Sequence, residues 1–189
     1  MAASELGRRL VHVAGGFPVG LYLLDLLDWP GVRLLYLVGI VLAVALEAVR
    51  LLIGVDWWIY RELTREYEQD NPAGYALYVV GAAAAALAFA PRIAVPAVLM
   101  LAVVDPVSGV LSSDERRPVK RPRVLAVSFL LAGLLALPFV PLGAAVAGAA
   151  LATAADGATP VVRGYVVDDN LGIPVGAAVA MWAALQLPL

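Results

Sequence analysis

The stretch from Val32 to Gly54 reads VRLLYLVGIVLAVALEAVRLLIG, and its length decides the fold. A helix needs roughly twenty apolar residues to cross about 30 Å of hydrocarbon, and this run supplies them. Comparable runs recur along the chain. Of its 189 residues, 62% are hydrophobic and only 15% charged, against about 25% charged in an average soluble domain. This composition predicts a polytopic membrane protein, a single all-α domain over residues 1–189 built as a helix bundle. The chain has no cysteine, which excludes disulfides, zinc–thiolate sites and a cysteine nucleophile. The first apolar run follows Arg8 and Arg9 without a small-residue cleavage site, so no cleavable signal is expected.

Working outward from Val32–Gly54, the apolar pattern predicts about seven transmembrane helices. They are Leu10–Leu27, Val32–Gly54, Ala73–Ala90, Ile93–Leu111, Val124–Phe139, Leu142–Ala155 and Leu171–Leu187. The sixth is short and nearly all Ala, Gly and Val. Gly143, Ala147 and Gly148 there, and Ala82–Ala86 in the third, are expected to let helix backbones approach closely.

Seven spans divide the basic residues unevenly. One face collects Arg8, Arg9, Arg50, Arg61, Arg65, Arg116, Arg117, Lys120, Arg121, Arg123 and Arg163, and the other only Arg33 and Arg92. Eleven against two puts the first face, with the N-terminus, in the cytoplasm. The loop DWWIYRELTREYEQDNP (Asp56–Pro72) reads as an interfacial amphipathic helix. Its Trp57, Trp58 and Tyr60 suit the headgroup level, and Arg61/Arg65 and Glu62/Glu66 repeat at helical spacing.

The unusual polar residues fall on that same face in three clusters. The first is SELGRRLVHVAGG (Ser4–Gly16), where Glu5, Arg9, His12 and Gly16 share a helical stripe. His12, the only histidine, is either a packed residue or part of an anion pocket that the following glycines open to backbone. Ionisable groups at membrane depth carry function by default.

The second cluster is LMLAVVDPVSGVLSSDERRPVKRPRV (Leu99–Val124). Asp105 sits in an apolar run, where an unpaired carboxylate costs about 2.5–3.5 kcal/mol. Pro106 follows, cannot donate to the Ala102 carbonyl, and disfavours helical dihedrals at Asp105, so a break or kink is expected there. A broken helix offers oxygen ligands at depth where protein or water surrounds it. Beyond Ser108 and Gly109, five positive charges lie between Arg116 and Arg123. They are either a topology signal or a neutralising surface for polyphosphate, and their nearness to Asp105 favours the second.

The third cluster is VVRGYVVDDNLGIPVGA (Val161–Ala177). An N-cap explains one of Asp168, Asp169 and Asn170 but not all three. Carboxylates, Arg, Lys and His on one face fit a Mg²⁺–polyphosphate site, since Mg²⁺ takes one or two carboxylates together with phosphate oxygens. Phosphoryl transfer needs alignment, charge neutralisation and a base near the attacking hydroxyl. No Walker A loop, kinase signature, G-x-S-x-G elbow or H-E-x-x-H motif is present.

These residues resemble the polyprenol (dolichol) kinase, phytol kinase and CTP-dependent diacylglycerol kinase family of integral membrane lipid kinases. The compact archaeal dolichol kinase-like proteins are the most similar in kind. ELGRRLVHVAGG is similar to the family's basic-x-x-x-His-x-x-Gly element, through Arg8, Arg9, His12 and Gly16. REYEQDNPAGYALYVVG (Arg65–Gly81) resembles its loop entering the next helix, and VVDPVSG its aspartate segment, with Asp105 as the acid. GYVVDDNLGIPVGAA is similar to the D-D-N-hydrophobic-x-x-Pro element, and this is the most specific match. Val104 stands where the family commonly has Gly, and Lys120-Arg121-Pro122-Arg123 replaces a Lys-Ser-x-x-Gly segment.

The resemblance implies a kinase that moves the γ-phosphoryl of CTP to an isoprenoid alcohol at the cytoplasmic face of the cell membrane. It implies Asp105, Asp168 and Asp169 as catalytic and Mg²⁺-binding acids. Arg8, Arg9, His12, Gly16, Ser108, Lys120, Arg121 and Asn170 are the expected nucleotide and phosphate contacts. CTP, the lipid alcohol and membrane lipids are the expected partners, and nucleic acid is not. The related CDP-lipid synthases, which join CTP to a lipid phosphate, are the alternative. A transporter with Asp105 as its cation or proton site is a distant third.

Overall fold

The structure is a computed structural model that describes residues 12–55, 57, 58, 60, 64, 68, 71–112, 119–158, 161, 162, 165, 166 and 168–187. Among these residues the regular structure is helical apart from one two-residue antiparallel ladder and one isolated bridge. After a helical turn over residues 12–15, the helices are α1 (Phe17–Leu23), α2 (Trp29–Ala48), α3 (Gly74–Ala88), α4 (Pro91–Leu99), α5 (Asp105–Leu111), α6 (Pro122–Ala136), α7 (Leu142–Gly157) and α8 (Asp169–Gln186). The ladder pairs β1 (Val161–Val162) with β2 (Tyr165–Val166) and leads into α8.

Local chemistry sets the helix ends. Asp28 caps α2 by accepting from the Gly31 amide at 2.8 Å, with Pro30 just inside the start. A π-helical turn, Val49–Ile53, prolongs α2 until Gly54 stops it at φ +71°, a left-handed conformation that suits glycine. Arg33 donates to the last carbonyls of α3, Ala86 at 3.0 Å and Leu87 at 3.4 Å, a cation where the helix dipole favours one.

The segment expected to break at Pro106 stays helical. Asp105 has φ −61° and ψ −49°, and α4 runs into α5 through a π-helical turn, Met100–Val104. That wider turn inserts a residue just before the proline, where an α-helical ladder would need the missing N–H and collide with the ring. The rod Pro91–Leu111 is therefore continuous.

Small residues bring the helices together. Ala82, Ala83, Ala85 and Ala86 on α3 are fully buried, as are Ala145, Ala149 and Ala152 on α7. A Cβ on Gly148 would lie 2.5 Å from Met181 Cγ, so α7 and α8 meet at backbone distance, while Gly143 has open space around it. Helix α8 is the hub and packs against α7, α3 and α4; α6 lies on α7, α2 on α3, and α1 touches α2 and α4. Two helical rods are long and apolar enough to cross a membrane, Trp29–Ile53 with 25 residues and Pro91–Leu111 with 21. The first leaves Leu34, Val41, Leu42 and Leu52 exposed, and the second is mostly enclosed by its neighbours.

Most of Asp56–Pro72, expected as an interfacial helix, lies outside the described residues. Of the rest, Trp57 and Tyr60 stack with ring centroids 5.9 Å apart, and Tyr60 donates to the Leu46 carbonyl at 3.1 Å.

Candidate metal and phosphate site

Two helix ends converge on the middle of the α4–α5 rod. Asp105 opens α5, Asp156 lies at the last turn of α7, and Asp169 opens α8. One carboxylate oxygen from each lies within 4.8 Å of the others. Two unit charges at that distance repel by about 3–4 kcal/mol at an effective dielectric of about 20. A cluster of three needs compensating groups, and two arrive from elsewhere in the chain.

Lys120 is the first. Its Nζ lies 2.6 Å from Asp156 Oδ1 and donates to Ser108 Oγ at 2.6 Å. Ser108 in turn donates to Asp156 Oδ1 at 3.0 Å, and Ser128 donates to Oδ2 at 3.2 Å. Asp156 is only 2% exposed, and this ring of donors makes such burial tolerable. Lys120 reaches it because its own amide bonds the Gly157 carbonyl at 3.1 Å while Val119 bridges Ala158, laying the chain before α6 along the end of α7.

His12 is the second. Its Nε2 lies 2.9 Å from Asp105 Oδ2. The imidazole stands edge-on to Tyr78, ring centroids 4.8 Å apart, and interacts with Asp169 and the Asn170 side chain as well. Two glycines admit this packing. A Cβ on Gly15 would fall inside the Tyr78 ring, 2.1 Å from its nearest carbon, and one on Gly16 would be 2.9 Å from Ala102 Cβ. Tyr36 holds the turn by donating to the Gly15 carbonyl at 3.2 Å.

Of the acids expected from sequence, Asp105 and Asp169 come together and Asp168 has a different task. It is the N-cap of α8, and its Oδ1 accepts from the Asn170 amide at 2.9 Å and from Asn170 Nδ2 at 2.6 Å. One of the three acidic and amide residues is the cap, as expected, and Asp169 starts the helix. Asn170 is 2% exposed and sits at the close approach of α8 to α3, where a Cβ on Gly74 would lie 3.1 Å from Asn170 Nδ2 and one on Gly81 2.5 Å from its carbonyl oxygen. Ser108 and Lys120 meet at the cluster, Gly16 serves helix approach, and Arg121 is the N-cap residue of α6. Arg8 and Arg9 lie outside the described residues.

Two acids not selected from sequence are central here. Asp156 stands directly after the apolar run Leu142–Ala155. Glu47 is the one acid within VRLLYLVGIVLAVALEAVRLLIG. It pairs with Arg50 at 2.6 Å, accepts from the Ala73 amide at 3.1 Å and receives the Tyr75 hydroxyl. Arg50 also donates to the carbonyls of Glu68 at 2.9 Å and Asn71 at 2.6 Å, so this pair ties the chain before α3 to the end of α2.

Three hard carboxylates at this spacing fit a small divalent cation such as Mg²⁺. A thiolate-preferring metal has no partner in a chain without cysteine. In comparisons by sequence and by fold, no family model, no curated protein and no solved structure matches the chain.

Proposed function

We propose that the protein is a multi-pass membrane phosphotransferase that moves the γ-phosphoryl group of CTP to the hydroxyl of an isoprenoid lipid alcohol. The observation that carries this reading is the meeting of Asp105, Asp156 and Asp169 within 4.8 Å, with His12 and Lys120 at their edge. Phosphoryl transfer needs such a site: oxygen ligands for a metal, cations for phosphate oxygens, and a carboxylate beside the attacking group.

Asp105 and Asp169 would hold Mg²⁺, with Asp156 completing the oxygen set. When bound, the metal ion neutralises phosphate charge. The chain's own residues do the rest. A carboxylate of the cluster takes the proton of the acceptor hydroxyl. A bond forms from the alcohol oxygen to the γ-phosphorus, the bond from that phosphorus to the β–γ bridging oxygen breaks, and CDP leaves. His12, 2.9 Å from Asp105 Oδ2 at the edge of the cluster, would meet a phosphate oxygen. Lys120 holds Asp156 against Ser108.

A lipid setting accounts for the exposed leucines of α2 and for the two long apolar rods. The shorter apolar helices α3, α6 and α7 complete the multi-pass bundle in this reading. The eleven-to-two division of basic residues turns the carboxylate cluster toward the cytoplasm.

The test is the purified protein with Mg²⁺, labelled CTP or ATP, and a panel of lipid alcohols and lipid phosphates. A phosphorylated alcohol with release of CDP supports the kinase. Pyrophosphate and a CDP-lipid from a lipid phosphate would instead identify a cytidylyltransferase. Transfer that survives in both Asp105→Asn and Asp169→Asn removes the proposed site.

A further inference from the structure

The helices form a ring around the rod Pro91–Leu111 that is closed at every step but one. Helix α1 packs on α2, α2 on α3, α3 on α8, α8 on α7 and α7 on α6. Of these, α1, α3, α8 and α6 also lie directly on the rod. Among the described residues α6 and α1 share no packed face, so the ring stays open between them.

The rod shows what the opening uncovers. Between Ile93 and Val104 every residue is buried except Leu99 and Val103, and Val107, four further on, is partly exposed as well. At this spacing, across a π turn, the three make one apolar stripe a single side chain wide. Helix α1 borders it with an apolar face. Gly15 meets Tyr78 of α3, Tyr22 lies edge-on to Trp29 of α2, and Gly16 meets Ala102 of the rod. Beyond Gly16, on the side away from α2 and α3, stand Val13, Phe17, Gly20 and Leu24. Val13, Phe17 and Leu24 are exposed, and a Cβ on Gly20 would meet nothing within 4 Å. Helix α6, the other border, exposes Val127, Leu130 and Leu134.

Polar groups stand at one end only. Where the turn before α1 meets the rod, the His12 and Asp105 side chains are 17% and 18% exposed, while Ser108, Asp156 and Asn170 are buried. The opening is apolar along its length and leads to the reachable edge of the carboxylate cluster. A molecule that matches it has one long apolar chain and a small polar head.

We propose that the seam between α1 and α6 seats the isoprenoid chain of the acceptor alcohol, which enters sideways from the bilayer with its hydroxyl end toward Asp105. The inference rests on the phosphotransfer reading for the role of that lipid as substrate. The seam itself rests on the open ring.

The test uses the full chain in nanodiscs with two photoreactive probes, geranylgeraniol and phosphatidylcholine, each carrying a diazirine near a chain end. The alcohol probe is expected to crosslink within Val13–Leu24 and Leu99–Leu111, and to be displaced by unlabelled geranylgeraniol but not by added phospholipid. Gly20→Leu is the blocking variant. Its side chain enters open space, and loss of a helical glycine keeps Tm at or above the wild-type value. It is expected to weaken those crosslinks and raise KM for geranylgeraniol about tenfold, with KM for CTP unchanged. Gly143→Leu, on α7 and equally open, is the control expected to match the wild type. Phe17→Cys, then the only cysteine in the chain, is expected to stay monomeric on oxidation. Alcohol crosslinks spread over the exposed face of α2, phosphatidylcholine held at the seam against the alcohol, oxidative dimers of Phe17→Cys, or a Gly20→Leu variant that behaves like Gly143→Leu overturns the proposal. Seam crosslinks that Gly20→Leu weakens, in a protein that transfers no phosphoryl group from CTP, leave the seam standing and overturn the kinase reading alone.

Discussion

Lys120 Nζ lies 2.6 Å from Asp156 Oδ1 while the Lys120 amide donates to the Gly157 carbonyl at 3.1 Å. One residue thereby fixes both the charge and the backbone of the α7 terminus. Lys120→Met leaves a carboxylate that is 2% exposed with only Ser108 and Ser128 to satisfy it. The partly exposed lysine sets the loss near the low end for a broken buried pair, about 3 kcal/mol, read by denaturant unfolding in detergent. Adding Asp156→Asn removes the stranded charge, and the double variant is expected to recover most of that stability without recovering phosphotransfer. Recovery of both would take Asp156 out of the proposed site.

The acidic cluster makes a metal-linked prediction that does not depend on the substrate. Repulsion among Asp105, Asp156 and Asp169 burdens the apo protein, and a bound cation relieves it. Mg²⁺ at about a hundred times its dissociation constant adds about 2.7 kcal/mol of stability, so Tm rises on titration with Mg²⁺ and falls again with EDTA. Asp105→Asn and Asp169→Asn each raise the apo Tm and blunt the Mg²⁺ response. Variants that respond to Mg²⁺ like the wild type would show that the ion binds elsewhere.

How much of this was legible in the sequence differs by element. The apolar runs locate the helices well: Val32–Gly54 contains most of α2 and its π turn, and Ile93–Leu111 nearly matches the rod through α4 and α5. Rod length is a local property, and hydrophobicity reports it. Asp105 was visible because a carboxylate inside an apolar run is costly. Asp156 passed unnoticed because its neutralising partners, Ser108, Lys120 and Ser128, come from three other segments that only the packing of α5 and α6 on α7 assembles. The division of labour between Asp168 and Asp169 was likewise beyond sequence. Adjacent acids look alike until the backbone decides which one caps the helix.

Glu47 supplies a prediction at a distance from the cluster. Through Arg50, Ala73 and Tyr75 it holds the chain entering α3, and Gly74 in that chain lies against Asn170. Glu47→Leu takes the carboxylate from the Arg50 guanidinium, which is 8% exposed and keeps its bonds to the Glu68 and Asn71 carbonyls, and is expected to lower stability by about 3 kcal/mol, the low end for a broken buried pair. Glu47→Leu with Arg50→Leu should regain most of it, because apolar replacement of both partners of a buried pair is often neutral. The double variant still loses the carboxylate that accepts the Ala73 amide, so limited proteolysis between Val55 and Pro72 is expected to quicken even where stability returns. Unchanged cleavage in that interval would show that the loop is held by other contacts.

The approach of α3 to α8 can be tested with one methyl group. A Cβ at Gly81 would stand 2.5 Å from the Asn170 carbonyl oxygen, 3.0 Å from Pro174 Cγ and 3.1 Å from Leu171 Cα. Two of these are backbone atoms at the start of a helix and cannot swing aside, so α8 must shift as a body. Gly81→Ala is therefore expected to lose about 1–3 kcal/mol from overpacking and to lower phosphotransfer, since the shift moves Asn170 and Asp169 with the helix. Gly143→Ala is the matched control. Its Cβ meets nothing within 4 Å, and replacing a helical glycine by alanine gains up to about 1 kcal/mol. Unfolding and activity measured on the pair separate steric displacement of α8 from a general effect of glycine loss. If Gly81→Ala matched Gly143→Ala in both measurements, the close approach of α3 to the start of α8 would be ruled out.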